Sequence, residues 1–346
     1  MIRKRLITVT WLTALALLLT PAISSPQAGP VGAPGFVEIT PEVTQAVGRG
    51  LAYLAQAQAE DGSFGADRYG RHVGITALVS LAFMADGHMP DRGPHGELLN
   101  QSLSFVLSSS SDAGLLAADT SHGPMYGHGF ATLFLGEVYG MTGNRQVRSA
   151  LRRAVQLIVA SQNHEGGWRY QPIPADADIS VTICQIMALR SARNAGLSVP
   201  KATIERAVEY VRRCQNPDDG GFRYMTGAGG SAFPRSAAGL ASLYYAGIYE
   251  GDEIDSALAY LEQFQPGAGR AQQGGHYYYG QYYAVQAMFL AGDEHWRSWY
   301  PAIRAELLAR QQADGSWQGN HGSTYSTAMA LLVLQMPNRL LPIFER

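Results

Sequence analysis

The chain has 346 residues and a formal net charge of −2, which leaves no basic stripe for a nucleic acid. Its length suits one large domain, and 39 glycines with 10% aromatic residues suit many turns around a wide aromatic interior.

In chain order, Arg3, Lys4 and Arg5 precede an apolar run from Leu6 to Leu19, then Pro21, Ala22, Ser24 and Ser25. This pattern predicts a signal peptide over residues 1–24 and hence export, periplasmic or extracellular, with an uncleaved anchor as the other reading. After cleavage no integral membrane segment is expected. A Pro/Gly linker spans 25–40, and residues 41–346 form the folded domain. The first amphipathic helix runs from about Pro41 to Gln58 and its uncharged partner from His72 to Asp86. Further pairs follow: 97–107 with 128–139, 145–162 with 178–194, 200–215 with 234–247, and 253–265 with a helix from Tyr277. The last outer helix is expected to start around Pro301, and its partner runs from Ser323 to Gln335. In each pair the first helix has one wet face, and the second is apolar all round.

The pairs are joined by copies of one motif. Gln162-Asn163-His164-Glu165-Gly166-Gly167-Trp168 is the fullest copy, and Gln58 to Phe64, Gln215 to Phe222 and Gln311 to Trp317 repeat it. Weaker copies are read at Gly123 to Tyr126 and at Gln273 to Tyr277. Spacings of about 40–60 residues are those of a repeat architecture. Six outer–inner hairpins that close on themselves need no polar capping repeats, so the fold expected is an all-α (α/α)6 toroid. These anchors resemble the QW repeats of the prenyltransferase and squalene/oxidosqualene cyclase superfamily over roughly residues 42–336.

Alternating hairpins bring the starts of all six inner helices to one mouth. The residues expected there are Arg71, His72, Tyr126, His128, Asp176, Asp178, Arg235, His276, Tyr279, Tyr282, His321 and Tyr325. Arg71 and Arg235 suit an anionic group, or equally a pairing with Asp176 or Asp178. The histidines cap turns or face a ligand, and no metal or other cofactor is expected from their spacing. Cys184 and Cys214 flank one anchor, so a bridge between them is open, as is burial as small apolar side chains.

Asp176-Ala177-Asp178-Ile179-Ser180 resembles a degraded DxDD motif, with Ile179 in place of its last aspartate. That resemblance implies Asp178, with Asp176, as the acid of a terpene cyclase, and a partner that is apolar or isoprenoid. Capping of the helix that starts at Asp178 is the alternative role. The chain departs from the family in having one helical barrel, no DDxxD motif and no Asp/Cys/His zinc set. Two further readings stay open: an (α/α)6 polysaccharide lyase or hydrolase, and a non-catalytic scaffold of the cell envelope. Whether the chain is an enzyme is left undecided.

Overall fold

The computed structural model describes residues 38–65, 70–120, 123–227 and 229–345. The expected signal peptide and most of the expected linker lie outside the described residues.

Among the described residues twelve α-helices alternate between an outer and an inner layer. The outer ones are α1 (Pro41–Gln56), α3 (Gly96–Ser108), α5 (Arg145–Ser161), α7 (Lys201–Cys214), α9 (Asp252–Glu262) and α11 (Asp293–Arg310). The inner ones are α2 (Val73–Ala85), α4 (Met125–Thr142), α6 (Ile179–Asn194), α8 (Phe233–Tyr245), α10 (Tyr277–Ala291) and α12 (Ser323–Leu334). Burial follows the sequence pattern: every residue of α2 is buried, whereas α5 and α7 bury one stripe only. Each inner helix packs on the next, and α12 packs back on α2, so the inner layer is a closed ring. No strand and no helix long and apolar enough to cross a membrane occur among the described residues.

The anchors hold the outer layer together. In five of them a Gln Nε2 donates to a carbonyl in the first turns of the next outer helix: Gln58 to Leu98 at 2.9 Å, Gln162 to Thr203 at 2.9 Å, Gln215 to Glu253 at 2.8 Å and Gln265 to Ser298 at 2.7 Å. Gln311 donates to Ala46 at 2.8 Å and closes the circle. The turn glycine is needed twice over. Gly166 has φ +100°, and a Cβ on it would lie 2.1 Å from the Arg206 carbonyl oxygen. The plug that follows (Phe64, Trp168, Phe222 or Trp317) is fully buried, and its backbone N–H donates to a hydroxyl in the first turns of the inner helix.

Two anchors sit elsewhere than the sequence reading puts them. The second is Ser111 to Leu116, not Gly123 to Tyr126: Gly114 has φ +89° and abuts the Arg153 carbonyl as Gly166 abuts Arg206. Buried Leu116 stands in for the aromatic plug. The fifth starts at Gln265 rather than Gln273. Outer helix six starts at Asp293, not near Pro301, which lies inside it. Gly292, with φ 117°, ends α10, and Asp293 and Glu294 suit the positive end of the helix that follows. Cys184 and Cys214 are both free and buried, so no bridge joins them.

Candidate functional site: an aromatic cavity at the mouth

The mouth of the ring opens on a cavity of about 920 Å³. Its wall is mainly aromatic, with Tyr126, Phe130, Tyr170, Tyr224, Phe233, Tyr260, Phe264, Tyr279 and Tyr325. Polar groups come from His72, Ser180, Arg235, Arg270, His276 and His321. No Asp or Glu lines it among the described residues.

Of the residues expected at the mouth, His72, Tyr126, Arg235, His276, Tyr279, His321 and Tyr325 line this cavity. His72 caps α2: its Nδ1 accepts from Gly74 N at 3.1 Å and Ile75 N at 3.3 Å, which leaves the ring proton on Nε2. Burial lowers its pKa and keeps the ring neutral. His276 Nδ1 and His321 Nε2 lie 3.1 Å apart with the rings stacked, and Tyr325 meets His321 edge-on. Tyr279 crosses the bore and donates to the Ser180 carbonyl at 3.0 Å. Arg235 donates from Nη2 to the Gly230 carbonyl at 2.7 Å, and its buried Nε has no partner among the described residues.

The others lie apart from the wall. Arg71 is 61% exposed and pairs with Asp61 and Asp119. Buried His128 accepts from Leu116 N at 3.1 Å through Nδ1. It therefore fills the place that Thr76 and Thr182 hold in other repeats, and burial depresses its pKa to about 4. Tyr282 is buried below the cavity, against Phe130 and the C-terminal Phe344. Asp176 is an exposed partner of Arg169.

Asp178 is wholly buried and sits one side chain behind the wall. Its Oδ1 accepts from Ser180 N and Val181 N, both at 2.9 Å, which caps α6. Its Oδ2 accepts from the Tyr224 hydroxyl at 3.1 Å, with Arg169 Nε 3.7 Å away. Tyr224 in turn is hydrogen-bonded to Tyr170. Burial, opposed by these donors, raises the Asp178 pKa to about 6. Tyr170 and Tyr224 were not foreseen as wall residues. Both stand two places after an anchor plug, and their carbonyls accept the first N–H of the preceding inner helix, from Met125 and Ile179. That bond draws each tyrosine over a helix start and into the mouth. Phe233, Phe264 and Arg270 were also missed; they come from the first turn of α8 and from the connection into α10.

No family model matches the chain. A stretch of 179 residues, 51% of the chain, is 28% identical to drimenyl diphosphate synthase from Streptomyces showdoensis and takes in 32% of that relative's length. Among solved structures, the type II terpene cyclase MstE from Scytonema, in complex with geranylgeranyl dihydroxybenzoate, superposes with a TM-score of 0.61 at 13% identity. That superposition covers 87% of this chain and 98% of MstE. An alpha-1,6-mannanase of Salegentibacter sp., in complex with alpha-1,6-mannotriose, gives a TM-score of 0.65 at 9% identity over 86% of this chain and 99% of the mannanase. At these identities both structures speak to the fold alone. Together with the closed ring of inner helices, these superpositions give the fold, an (α/α)6 toroid, and the chain spans about a third of the length of the synthase that it matches in sequence.

Proposed function

We propose that the chain binds an apolar, isoprenoid-class ligand in the mouth cavity and protonates it from Asp178 through Tyr224. The observation that carries this reading is the wall itself: aromatic faces, no lining carboxylate among the described residues, and one buried carboxyl a single hydroxyl behind them. The volume of about 920 Å³ is at the upper end of the roughly 300–1,000 Å³ typical of small-molecule sites. Arg235, Arg270 and the His276–His321 pair would face the polar end of the ligand, and Tyr126, Phe130 and Tyr279 its chain. The N-terminal sequence supports export of the protein.

In the proposed step the Tyr224 hydroxyl gives its proton to an alkene carbon of the ligand. A C–H bond forms, the π bond is spent, and the adjacent carbon becomes cationic. With the carboxyl protonated, Oδ2–H donates to the Tyr224 oxygen across the same 3.1 Å contact, and this proton moves to that oxygen as the phenol proton leaves, so the tyrosine ends neutral. The new carboxylate keeps its two backbone donors and the nearby Arg169. Aromatic faces stabilise the cation until it loses a proton. The mannanase likeness supports a glycan reading less well, because glycoside cleavage uses a pair of carboxyl groups flanking the bond.

Geranylgeraniol as a probe separates binding from turnover. Quenching of intrinsic fluorescence should report binding to the wild type, to Asp178→Asn and to Tyr224→Phe. Gas chromatography with mass spectrometry should find cyclised product with the wild type alone, falling as the pH rises through about 6. No binding by the wild type would sink the cavity reading. Turnover by Asp178→Asn would sink the acid.

A further inference from the structure

The face opposite the mouth carries the turns from inner to outer helices, and one of them differs in charge from the rest. Helix α5 holds Arg145, Arg148, Arg152 and Arg153 and no acidic residue. Helices α7 and α11 carry acidic residues that pair some of their cations: Lys201 with Glu205 and Arg212 with Glu209 on α7, Arg297 with Asp293 and Arg310 with Glu306 on α11. Among the described residues, Arg145, Arg148 and Arg152 take part in no ion pair. Arg153 stands apart from them, bonded to Ser149 and Ser110.

The three unpaired arginines are exposed, recur at three- and four-residue steps, and so share one face of α5. With Tyr139, Gly143 and Ser149 they line a groove of about 440 Å³ between the end of α4 and the start of α5. Like charges at this spacing repel. Arg145 and Arg148 also stand in the first turn, at the positive end of the helix, where the backbone favours anions. Within the chain the arrangement is unfavourable on both counts, and a bound anion reverses both.

We infer that this groove is a binding site for a phosphate-bearing anion. Three guanidinium forks and a hydroxyl match the oxygens of a phosphoryl or diphosphoryl group, and three positive charges call for more than the single charge of a carboxylate. A lipid headgroup and a free phosphoanion present this same chemistry. The site lies on the far face from the mouth cavity, and the inference does not depend on the function proposed for that cavity.

The test uses the full domain at low salt. Inorganic diphosphate is titrated by calorimetry into the wild type and into a variant carrying Arg145→Gln, Arg148→Gln and Arg152→Gln. Because these side chains are exposed, the variant should keep its melting temperature while its affinity falls by about tenfold or more. Sedimentation with phosphatidylglycerol and phosphatidylcholine vesicles then identifies the source. Binding to the anionic vesicles that diphosphate displaces assigns a lipid headgroup, whereas diphosphate binding without vesicle binding assigns a soluble phosphoanion. The inference is overturned if the wild type binds neither probe, or if the triple substitution leaves the affinity unchanged.

Discussion

Replacing Asp178 by Asn tests whether the buried carboxyl is held neutral or charged. The substitution keeps the shape of the side chain and an oxygen for the Ser180 and Val181 N–H groups, and Asn caps helices as well as Asp. What changes is the ability to ionise. Burial raises the carboxyl from its ordinary 3.8 to about 6, a difference of roughly two pH units. At about 1.4 kcal/mol per unit, the folded state gives up roughly 3 kcal/mol to hold the ionised form at neutral pH. The sign follows from proton counting. Between about 4 and 6 the native protein binds more protons than the unfolded chain, so wild-type stability falls as pH rises through that window and levels off above it. Asp178→Asn lacks this loss. The variant should therefore match the wild type near pH 4 and exceed it at pH 7.5 by up to about 3 kcal/mol, a figure in which the Arg169 attraction is already included. Urea unfolding followed by circular dichroism at the two pH values measures the gap. A variant less stable than the wild type at pH 7.5 would refute the reasoning. It would mean that Arg169 and the backbone donors outweigh burial, so that the carboxyl sits at or below its ordinary 3.8 and is scarcely loaded with a proton near pH 6.

Glu137 offers the same logic at the other end of the ring. Burial raises it to about 7, while Ser191 Oγ donates to it at 2.7 Å and the C-terminal Ile343 N at 3.2 Å. Glu137→Gln keeps one acceptor oxygen and puts an NH2 where the protonated carboxyl has its O–H, yet removes the ionisation, so thermal melting should rise relative to wild type at pH 8 and not at pH 4.5. Among the glycines, Gly166→Ala forces a Cβ to within 2.1 Å of the Arg206 carbonyl oxygen and should cost about 3 kcal/mol or more. Gly196→Ala, with φ +86° but open space around it, should cost only about 1–2 kcal/mol in the same unfolding experiment.

Most of the fold was legible because each anchor residue has one job that few other residues do. A glutamine amide reaches two carbonyls at once, as Gln162 does with Gly166 and Thr203. Only glycine fits a left-handed turn pressed against a neighbouring helix. The second anchor escaped because two jobs went to substitutes: Leu116 plugs where an aromatic was sought, and His128 accepts where a threonine usually does. A signal was present in the spacing. Leu116 and His128 are separated by 12 residues, as are Phe64 and Thr76. Reading His128 by its residue type made it a candidate ligand residue; reading it by its register would have made it part of an anchor.

The cavity was half legible for a different reason. Hairpin alternation places the inner-helix starts together, and that much depends on topology alone. Which side chains turn inward depends on rotations that periodicity does not carry. Arg71 and His72 are neighbours, yet His72 caps α2 and lines the wall while Arg71 reaches out to Asp61 and Asp119. Tyr170 and Tyr224 share one register after their plugs, and that repetition is the signal in the sequence by which both can be placed at the mouth.

Capping and the proposed acid role of Asp178 draw on different oxygens. Oδ1 is taken by two N–H groups of α6, and Oδ2 faces Tyr224. The two uses also reinforce each other. A proton donor must be loaded at rest, which burial favours, and its conjugate base must be welcome once the proton leaves, which the cap donors and Arg169 favour. An acid with burial alone would hold its proton and be reluctant to release it. One with the cap alone would titrate at or below the ordinary 3.8 and be almost wholly ionised near pH 6. The opposition of the two places the group at about 6, and it makes the start of an inner helix, where free N–H groups point toward the mouth, a suitable position for a buried acid.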